Sequence, residues 1–149
     1  SFHRVMDDKN KSIKDKDVKR LVICSGKVFY DLFEAREKNK LFNIKILRLE
    51  QIYPFPIKSL QEFISKTPQA EIIWCQEEPE NMGSWSFIDR RLEKVLIDCN
   101  CKYKRPVYVG RPEAASPATG TMSRHLKEQK LLVNQALGLE KINTASAAE

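Results

Sequence analysis

Residues 71 to 85 read Glu-Ile-Ile-Trp-Cys-Gln-Glu-Glu-Pro-Glu-Asn-Met-Gly-Ser-Trp, an apolar run followed by an acidic turn. Ile72 to Cys75 form a short uninterrupted apolar run, which is typical of a strand whose two faces are both covered. Pro79 and Gly83 end this strand, and Ser84 is the predicted N-cap of the helix that follows. The stretch therefore predicts a strand, a turn and a helix, with the acidic turn at the carboxyl end of the strand.

The same alternation of strand and helix extends along the chain in both directions. Further strands are predicted at Arg20–Cys24, Ile44–Leu49 and Pro106–Gly110. Helical spacing of apolar residues predicts helices at Val28–Asn39 and Trp85–Cys99, a short helix from Ile57 that Thr67-Pro68 ends, and a last helix that Ser123 would cap. We therefore expect an α/β fold, a three-layer αβα sandwich around a mostly parallel sheet of about five strands.

The length of 149 residues is expected to hold one domain. Residues 1–19 are rich in Asp, Lys and Asn and have too few apolar positions for a periodic face, so we predict a linker from an upstream domain. Residues 20–139 form the predicted domain, and residues 140–149 are predicted to be a flexible tail.

The composition of the chain argues against two classes of binding partner, nucleic acids and membranes. The net charge is +6, but the 26 basic residues are scattered among 20 acidic ones, and Tyr103 is the only aromatic residue within the most basic stretches. Nucleic-acid binding is therefore not expected. No apolar run approaches the roughly 18 residues of a membrane span, so no membrane partner is expected either.

The four cysteines are Cys24, Cys75, Cys99 and Cys101. Two of them lie in apolar strands and no secretory leader is recognised, which favours reduced thiols in a cytosolic or matrix-like compartment. The Cys-x-Cys pair at 99 and 101 has only two distant histidines to complete a tetrahedral site, so zinc is not expected.

Cationic side chains that follow or end three different strands are candidate anion ligands, namely Lys27, Arg48 and Arg111. Ser25-Gly26-Lys27 lies where a helix N-terminus could bind an anion, but Val28 stands where a phosphate loop needs Ser or Thr. The other interpretation is that Gly26 only permits a sharp turn.

Two further sites each admit two interpretations. Glu77 and Glu78 could form a general acid and base pair. Because consecutive strand residues point in different directions, an interface contact or a backbone cap is the favoured role. His125 could carry a proton, although a surface histidine is favoured.

Four blocks of the sequence resemble, in the same order, the C-terminal domain of the E1 component of 2-oxoglutarate dehydrogenase. They are Ser25–Leu32, Arg48–Pro56, Gln76–Gly83 and Gly110–Gly120. The resemblance extends over nearly the whole chain. It implies a fold like the transketolase C-terminal domain, in which one edge strand runs antiparallel.

The resemblance also implies the activity of a longer protein. The full-length enzyme of this family decarboxylates 2-oxoglutarate on thiamine diphosphate with magnesium and passes the succinyl group to the lipoyl group of E2, a step of the tricarboxylic acid cycle. The family's Gly-Asp-Gly cofactor motif is not in this sequence. The chain alone is therefore predicted to be inactive, with no catalytic, cofactor-binding or metal residue of its own.

The implied partners are the pyrimidine-binding domain of the same E1, a second E1 subunit and the E2 succinyltransferase, with an acyl-coenzyme A or nucleotide effector in some relatives. Interface residues are predicted in the strand-end turns: Tyr53, Phe55, Gln76, Glu77, Glu78, Asn81, Pro117 and Thr119. The location would be cytoplasmic in a bacterium or the mitochondrial matrix in a eukaryote. The alternative hypothesis is a stand-alone flavodoxin-like module that binds an anionic metabolite or nucleotide.

Overall fold

A computed structural model describes residues 4–113 and 122–142 of the chain. In order, the strands are β1 (Val5–Met6), β2 (Arg20–Ser25), β3 (Ile44–Leu49), β4 (Glu71–Pro79) and β5 (Val107–Arg111). The helices of the described residues are α1 (Val28–Lys38), α2 (Ile57–Ile64), α3 (Trp85–Asp98) and α4 (Met122–Ala136), with a short 3-10 helix at Asp15–Asp17.

The strands form one sheet in the order β1-β3-β2-β4-β5. Strands β2 to β5 are parallel to their neighbours, whereas β1 pairs antiparallel with β3. The predicted α/β sandwich is confirmed, and so is the antiparallel edge strand that the resemblance implied.

Helices cover both faces of the sheet. Leu21, Ile23 and Trp74 point to one face and form a core with α2 and α3, whereas Val22 and Ile73 point to the other face and pack with α1 and α4. Successive strand side chains alternate in this way because the backbone is pleated. The uninterrupted apolar run in β4 is thus explained, since both of its faces are buried.

The order of the strands creates a topological switch point. From β2 the chain passes through α1 to β3 on one side, then through α2 to β4 on the other side of β2. The parallel strands all end at one edge of the sheet, which we call the carboxyl edge. In open α/β sheets, ligands bind at this edge near the switch point.

Part of the segment that was predicted to be a linker belongs to the folded unit. Val5 and Met6 pair with β3, and Asp8 is buried against Arg36, whose side chain is also fully buried. Two hydrogen bonds of 2.7 Å join the Arg36 guanidinium to the two carboxylate oxygens of Asp8. The N–H of Ile46 in β3 donates a third hydrogen bond of 2.7 Å to the same carboxylate.

These contacts join the amino-terminal segment, α1 and β3. Burial alone would lower the pKa of the Arg36 guanidinium, but the hydrogen bonds and charge of Asp8 raise it above its ordinary value. Removal of either partner of a buried ion pair strongly destabilises the fold, because the other charge remains buried without that partner. Sequence patterns do not reveal this arrangement, since charged residues without a periodic apolar face are typical of an exposed segment.

We expect Asp8→Ala to lower the free energy of unfolding by about 3–5 kcal/mol, because the Ile46 N–H would lose its acceptor and the buried Arg36 would keep only Glu37 as a counter-charge. Urea denaturation of the chain measures this loss. The double variant Asp8→Leu, Arg36→Met removes both charges and should recover most of it.

Lys11→Ala is the control for this experiment. It removes an ion pair with Asp7 whose lysine side chain is 72% exposed, and exposed pairs contribute about 1 kcal/mol or less. An Asp8→Ala loss as small as that of Lys11→Ala would contradict the role assigned to Asp8.

Candidate functional site

The three predicted anion ligands lie at the carboxyl edge, and each has a carboxylate close by. The nitrogen-to-oxygen distances are 3.9 Å for Lys27–Glu77, 3.7 Å for Arg48–Glu50 and 3.1 Å for Arg111–Glu128. The structure therefore brings these cations to the same edge of the sheet without joining them in one preformed site.

Arg111, one of the three predicted anion ligands, is mostly buried and contacts side chains of α4. Its side chain is only 11% exposed. Besides its contact with Glu128, it donates a 2.7 Å hydrogen bond to Gln129 of α4, and Gln129 in turn donates one of 2.9 Å to Asp31 of α1. His125 lies 3.5 Å from the guanidinium. The arginine thus fastens α4 to β5 and to α1.

A basic cluster surrounds the first turn of α1, which we define as Lys9, Lys27 and Arg48. The Lys27 side chain is 83% exposed. The Arg48 guanidinium lies 5.2 Å from the ring of Tyr30 and donates a hydrogen bond of 3.3 Å to its hydroxyl oxygen. The ammonium of Lys9 lies 5.8 Å from the same ring.

The basic cluster includes a tight turn at Gly26 and a buried nitrogen atom of Arg48. Gly26 has a φ of +81°, a conformation that glycine adopts at little cost and that turns the chain from β2 into α1. Arg48 has a buried Nε without a hydrogen-bond partner among the described residues. Lys9 lies in the predicted linker and has no sequence signal for this role, so only its contact with the rings of Phe29 and Tyr30 reveals its place.

Gln76 has a buried side chain, 3% exposed, that organises the turn after β4. Its amide oxygen accepts hydrogen bonds from the indole N–H of Trp74 (2.9 Å) and from the backbone N–H of Trp85 (3.1 Å). Its amide nitrogen donates to the carbonyls of Pro79 (2.9 Å) and Met82 (2.8 Å). Gln76 therefore holds the turn through buried hydrogen bonds, whereas the sequence predicts an interface contact at this position.

The start of α3 agrees with the prediction in position, because Ser84 is its N-cap residue. The Ser84 side chain makes no capping hydrogen bond, however, and the N–H of Trp85 donates to the amide oxygen of Gln76. The predicted cap at Ser123 is wrong, because Ser123 lies inside α4, which includes Met122. The local sequence favours a cap at each serine, but it does not reveal the tertiary hydrogen bond to Gln76 or the earlier start of α4.

The other acidic and amide candidates near this turn remain accessible. Glu77 is half-buried and pairs with Lys27, while Glu78 and Asn81 are exposed. The predicted interface positions Pro117 and Thr119 lie outside the described residues. Glu77 thus takes a charge-pairing role, and its contact with Lys27 gives no support to an acid and base pair with Glu78.

Aromatic rings form a second feature of the carboxyl edge, which we call the aromatic patch: Tyr53, Phe55 and Phe87. The centroid of Phe87 lies 4.3 Å from that of Tyr53 and 6.4 Å from that of Phe55. Phe55 and Phe87 border the core beneath α2 and α3, so the patch and the basic cluster lie on opposite faces of the sheet.

The buried thiols are poor candidates for a nucleophile. Cys24 and Cys75 are paired positions on β2 and β4. Burial raises the pKa of Cys24 to about 12, partly opposed by Arg48. Burial likewise raises the pKa of Cys75, to which the neighbouring Cys24 and Glu77 add. Since the thiolate is the reactive form, neither residue is poised for covalent catalysis near neutral pH.

Within residues 4–113 and 122–142, no three His, Cys, Asp or Glu side chains are grouped so that they could hold a metal ion. None of the described helices combines the length and apolar character needed to cross a bilayer.

The fold and this edge together define a three-layer α/β domain with a basic half and an aromatic half along its carboxyl edge, an arrangement suited to binding. A family model described as 2-oxoglutarate dehydrogenase C-terminal matches residues 1–137. The chain belongs to this family, which confirms the resemblance found in the four sequence blocks.

Two relatives of the chain support the same family assignment. The 2-oxoglutarate dehydrogenase E1 component of Brucella abortus (strain S19) is 51% identical over 146 residues, which cover 93% of this chain and 14% of the relative. The E1 component of Brucella anthropi is 50% identical over 146 residues, which cover 93% of this chain and 15% of the relative. The chain thus spans only a small part of the length of these relatives.

We expect Gln76→Leu to destabilise the chain by more than about 1–3 kcal/mol, the cost of one unsatisfied buried polar group, because several groups lose their partner. Hydrogen–deuterium exchange should accelerate specifically across residues 77–85. Gln51→Leu is the matched control, since it removes one exposed hydrogen bond to the Tyr53 carbonyl. Equal exchange in both variants would show that Gln76 does not hold the turn.

Proposed function

We propose that this chain is the carboxyl-terminal structural and regulatory domain of a 2-oxoglutarate dehydrogenase E1 component. The observation that carries the proposal is the family match over residues 1–137, together with E1 relatives of which the chain covers 14–15%. The full-length protein would decarboxylate 2-oxoglutarate and succinylate the lipoyl group of E2. In this proposal the chain alone does not catalyse the reaction.

The cofactor would belong to other parts of the full-length protein. Thiamine diphosphate, bound with magnesium, supplies the electron sink for such a decarboxylation. The residues of this chain do not fit that group, because the sequence has no Gly-Asp-Gly motif and the described residues form no cluster suited to a metal. We therefore assign no chemical step to them.

The structural role we propose is contact with the pyrimidine-binding domain and with a second E1 subunit of a complex that includes E2. Exposed residues of the carboxyl edge support it, among them Tyr53, Glu78 and Asn81, and Pro117 and Thr119 are proposed to join them. Full-length E1 would then be cytoplasmic in a bacterium, or located in the matrix of a mitochondrion.

The regulatory role we propose is the binding of an anionic effector, such as an acyl-coenzyme A or a nucleotide, by the basic cluster. Three observations support it: Lys27 is largely exposed, the Arg48 guanidinium is held beside Tyr30, and the cluster lies next to the switch point of the sheet. Arg111 would contribute only if the anion displaced Glu128.

The double variant Lys27→Ala, Arg48→Ala in full-length E1 tests this division of roles. Single-turnover decarboxylation of 2-oxoglutarate should stay near the wild-type rate. The affinity for acetyl-coenzyme A or AMP, whichever the wild type binds, should fall about tenfold or more, since a charge-assisted hydrogen bond contributes about 1.5–3 kcal/mol.

Lys38→Ala is the control, because it removes an exposed cation at the far end of α1. Collapse of decarboxylation in the double variant, with effector binding intact, would refute the regulatory role. A wild-type full-length protein that does not decarboxylate 2-oxoglutarate would refute the family activity.

The stand-alone module is the second candidate, favoured by the position of the basic cluster at the switch point. Titration of the isolated chain with acetyl-coenzyme A, AMP and thiamine diphosphate separates the two ideas. A ligand at a hundredfold its Kd should add about 2.7 kcal/mol to the free energy of unfolding. We expect no stabilisation by thiamine diphosphate, and stabilisation by it would contradict our assignment of the cofactor to other domains.

A further inference from the structure

The fold gathers the net charge of the chain at one end of the sheet. The parallel strands begin at the edge opposite the carboxyl edge, which we call the amino edge. Residues 14–19, 39–43, 65–70 and 99–106 lead into β2, β3, β4 and β5 there. These four segments contain eight basic and two acidic residues, so their net charge of +6 equals that of the whole chain. The charges that look scattered along the sequence are therefore concentrated in space.

Backbone hydrogen bonds hold the four segments side by side. The N–H of Lys19 donates to the Asn43 carbonyl over 2.8 Å, and the Lys19 carbonyl accepts from the N–H of Glu71 over 2.9 Å. The N–H of Lys102 donates to the Pro68 carbonyl over 2.8 Å. The segments thus form one continuous surface whose shape is set by the sheet.

Most cations of this surface have no carboxylate partner. Six lysines are exposed and, within residues 4–113 and 122–142, none of them forms an ion pair. We call them the lysine face: Lys16, Lys19, Lys40, Lys66, Lys102 and Lys104. Asp15, one of the two acidic residues, is paired at 2.9 Å with the buried Lys45. The amino edge thus differs from the carboxyl edge, where each candidate cation lies near a carboxylate.

Helix ends account for part of this charge. Helices α1, α2 and α3 end at the amino edge, where cations are favoured because a helix C-terminus carries a partial negative charge. At roughly half a charge for each end, the three helices offset about one and a half positive charges. Most of the positive charge therefore remains as a field that extends from this edge into the solvent.

The residue types favour an anionic surface over a site for individual phosphates. Lysine is a compact and strongly hydrated charge, is depleted in protein–protein interfaces, and is typical of segments that bind anionic lipids. Arg105 is the one arginine of the four segments, and Asp89 and Glu93 hold it at 3.0 and 3.2 Å. The fork of N–H groups that often binds nucleic-acid phosphates is thus already occupied here.

The spread of the exposed groups favours a planar partner. Tyr103 is 41% exposed and Phe42 is 43% exposed. They precede β5 and β3, which β4 and β2 separate in the sheet, so their segments lie about 14 Å apart at the usual strand spacing. Stacked bases of one strand need neighbouring rings, whereas aromatic side chains at a membrane surface act as separate anchors.

We propose that the amino edge binds the surface of an anionic phospholipid bilayer. The lysine face lies against the headgroups, and Tyr103 and Phe42 lie at headgroup depth. This contact is peripheral and needs no spanning helix, so the lack of a long apolar run in the sequence does not argue against it. It goes beyond the proposed function, whose domain contacts and effector site lie at the carboxyl edge and stay free.

Sedimentation with lipid vesicles tests the proposal on the full-length protein that contains this chain. Vesicles of phosphatidylcholine in which about a third of the lipid is phosphatidylglycerol should bind the protein at low salt. Binding should weaken as salt rises, because exposed charges are screened. Vesicles of phosphatidylcholine alone should not bind it. Equal binding to both kinds of vesicle, or binding to neither, would overturn the proposal.

A matched pair of double variants tests the assigned surface. Lys66→Gln, Lys102→Gln should lower the partition onto the anionic vesicles by about tenfold or more, since each lysine near such a surface contributes roughly a factor of five. Lys58→Gln, Lys127→Gln is the control, because it removes two exposed lysines away from the amino edge. Equal losses in the two variants would show an effect of net charge alone and would overturn the assignment.

Chemical acetylation of lysines, mapped by mass spectrometry, shows which end of the domain faces the lipid. The anionic vesicles should protect Lys66 and Lys102 and leave Lys58 and Lys127 reactive, and the opposite pattern would overturn the proposal. Polyglutamate and an oligothymidylate, titrated at the same concentration of charge, represent an acidic protein and a nucleic acid. Tighter binding to either polymer than to the vesicles, lost in the Lys66→Gln, Lys102→Gln variant, would overturn the proposal in favour of that partner.

Discussion

The pleat of a strand sends consecutive side chains to opposite faces, and at the end of β4 this constraint separates Gln76 from Glu77. Gln76 points to the α3 side and is buried in hydrogen bonds. Glu77 points to the α1 side and meets Lys27. The same alternation places Arg48 beside the rings of α1. One geometric rule thus divides the carboxyl edge into a basic half and an aromatic half.

Gln76 fixes the conformation of the turn between β4 and α3 at this edge. A buried amide needs partners for both its oxygen and its nitrogen, and Pro79, Met82 and Trp85 of the turn provide them. Gly83 completes the fit, since a side-chain carbon there would lie 3.2 Å from the Gln76 amide nitrogen. The position of α3, and with it of Phe87 and Arg91, follows from these contacts.

The sequence predicts the regular elements well, because they depend on local apolar patterns. The bounds of β3 agree with the prediction, α1 and α3 each end one residue early, and α2 begins as predicted but ends at Ile64, before Thr67-Pro68. The missed features are buried polar residues. Asp8 is stabilised by Arg36, 28 positions away, and no local pattern distinguishes such an aspartate from an exposed one. The packing role of Arg111 depends in the same way on residues of α4.

The Asp8–Arg36 pair also bears on where the folded unit begins. It holds the segment that follows β1 against α1 and β3. Because a buried charge is tolerated only beside its partner, the pair keeps the two-residue strand β1 in place at the edge of the sheet. The antiparallel edge strand therefore depends on a tertiary ion pair, which no apolar pattern in residues 1–19 could indicate.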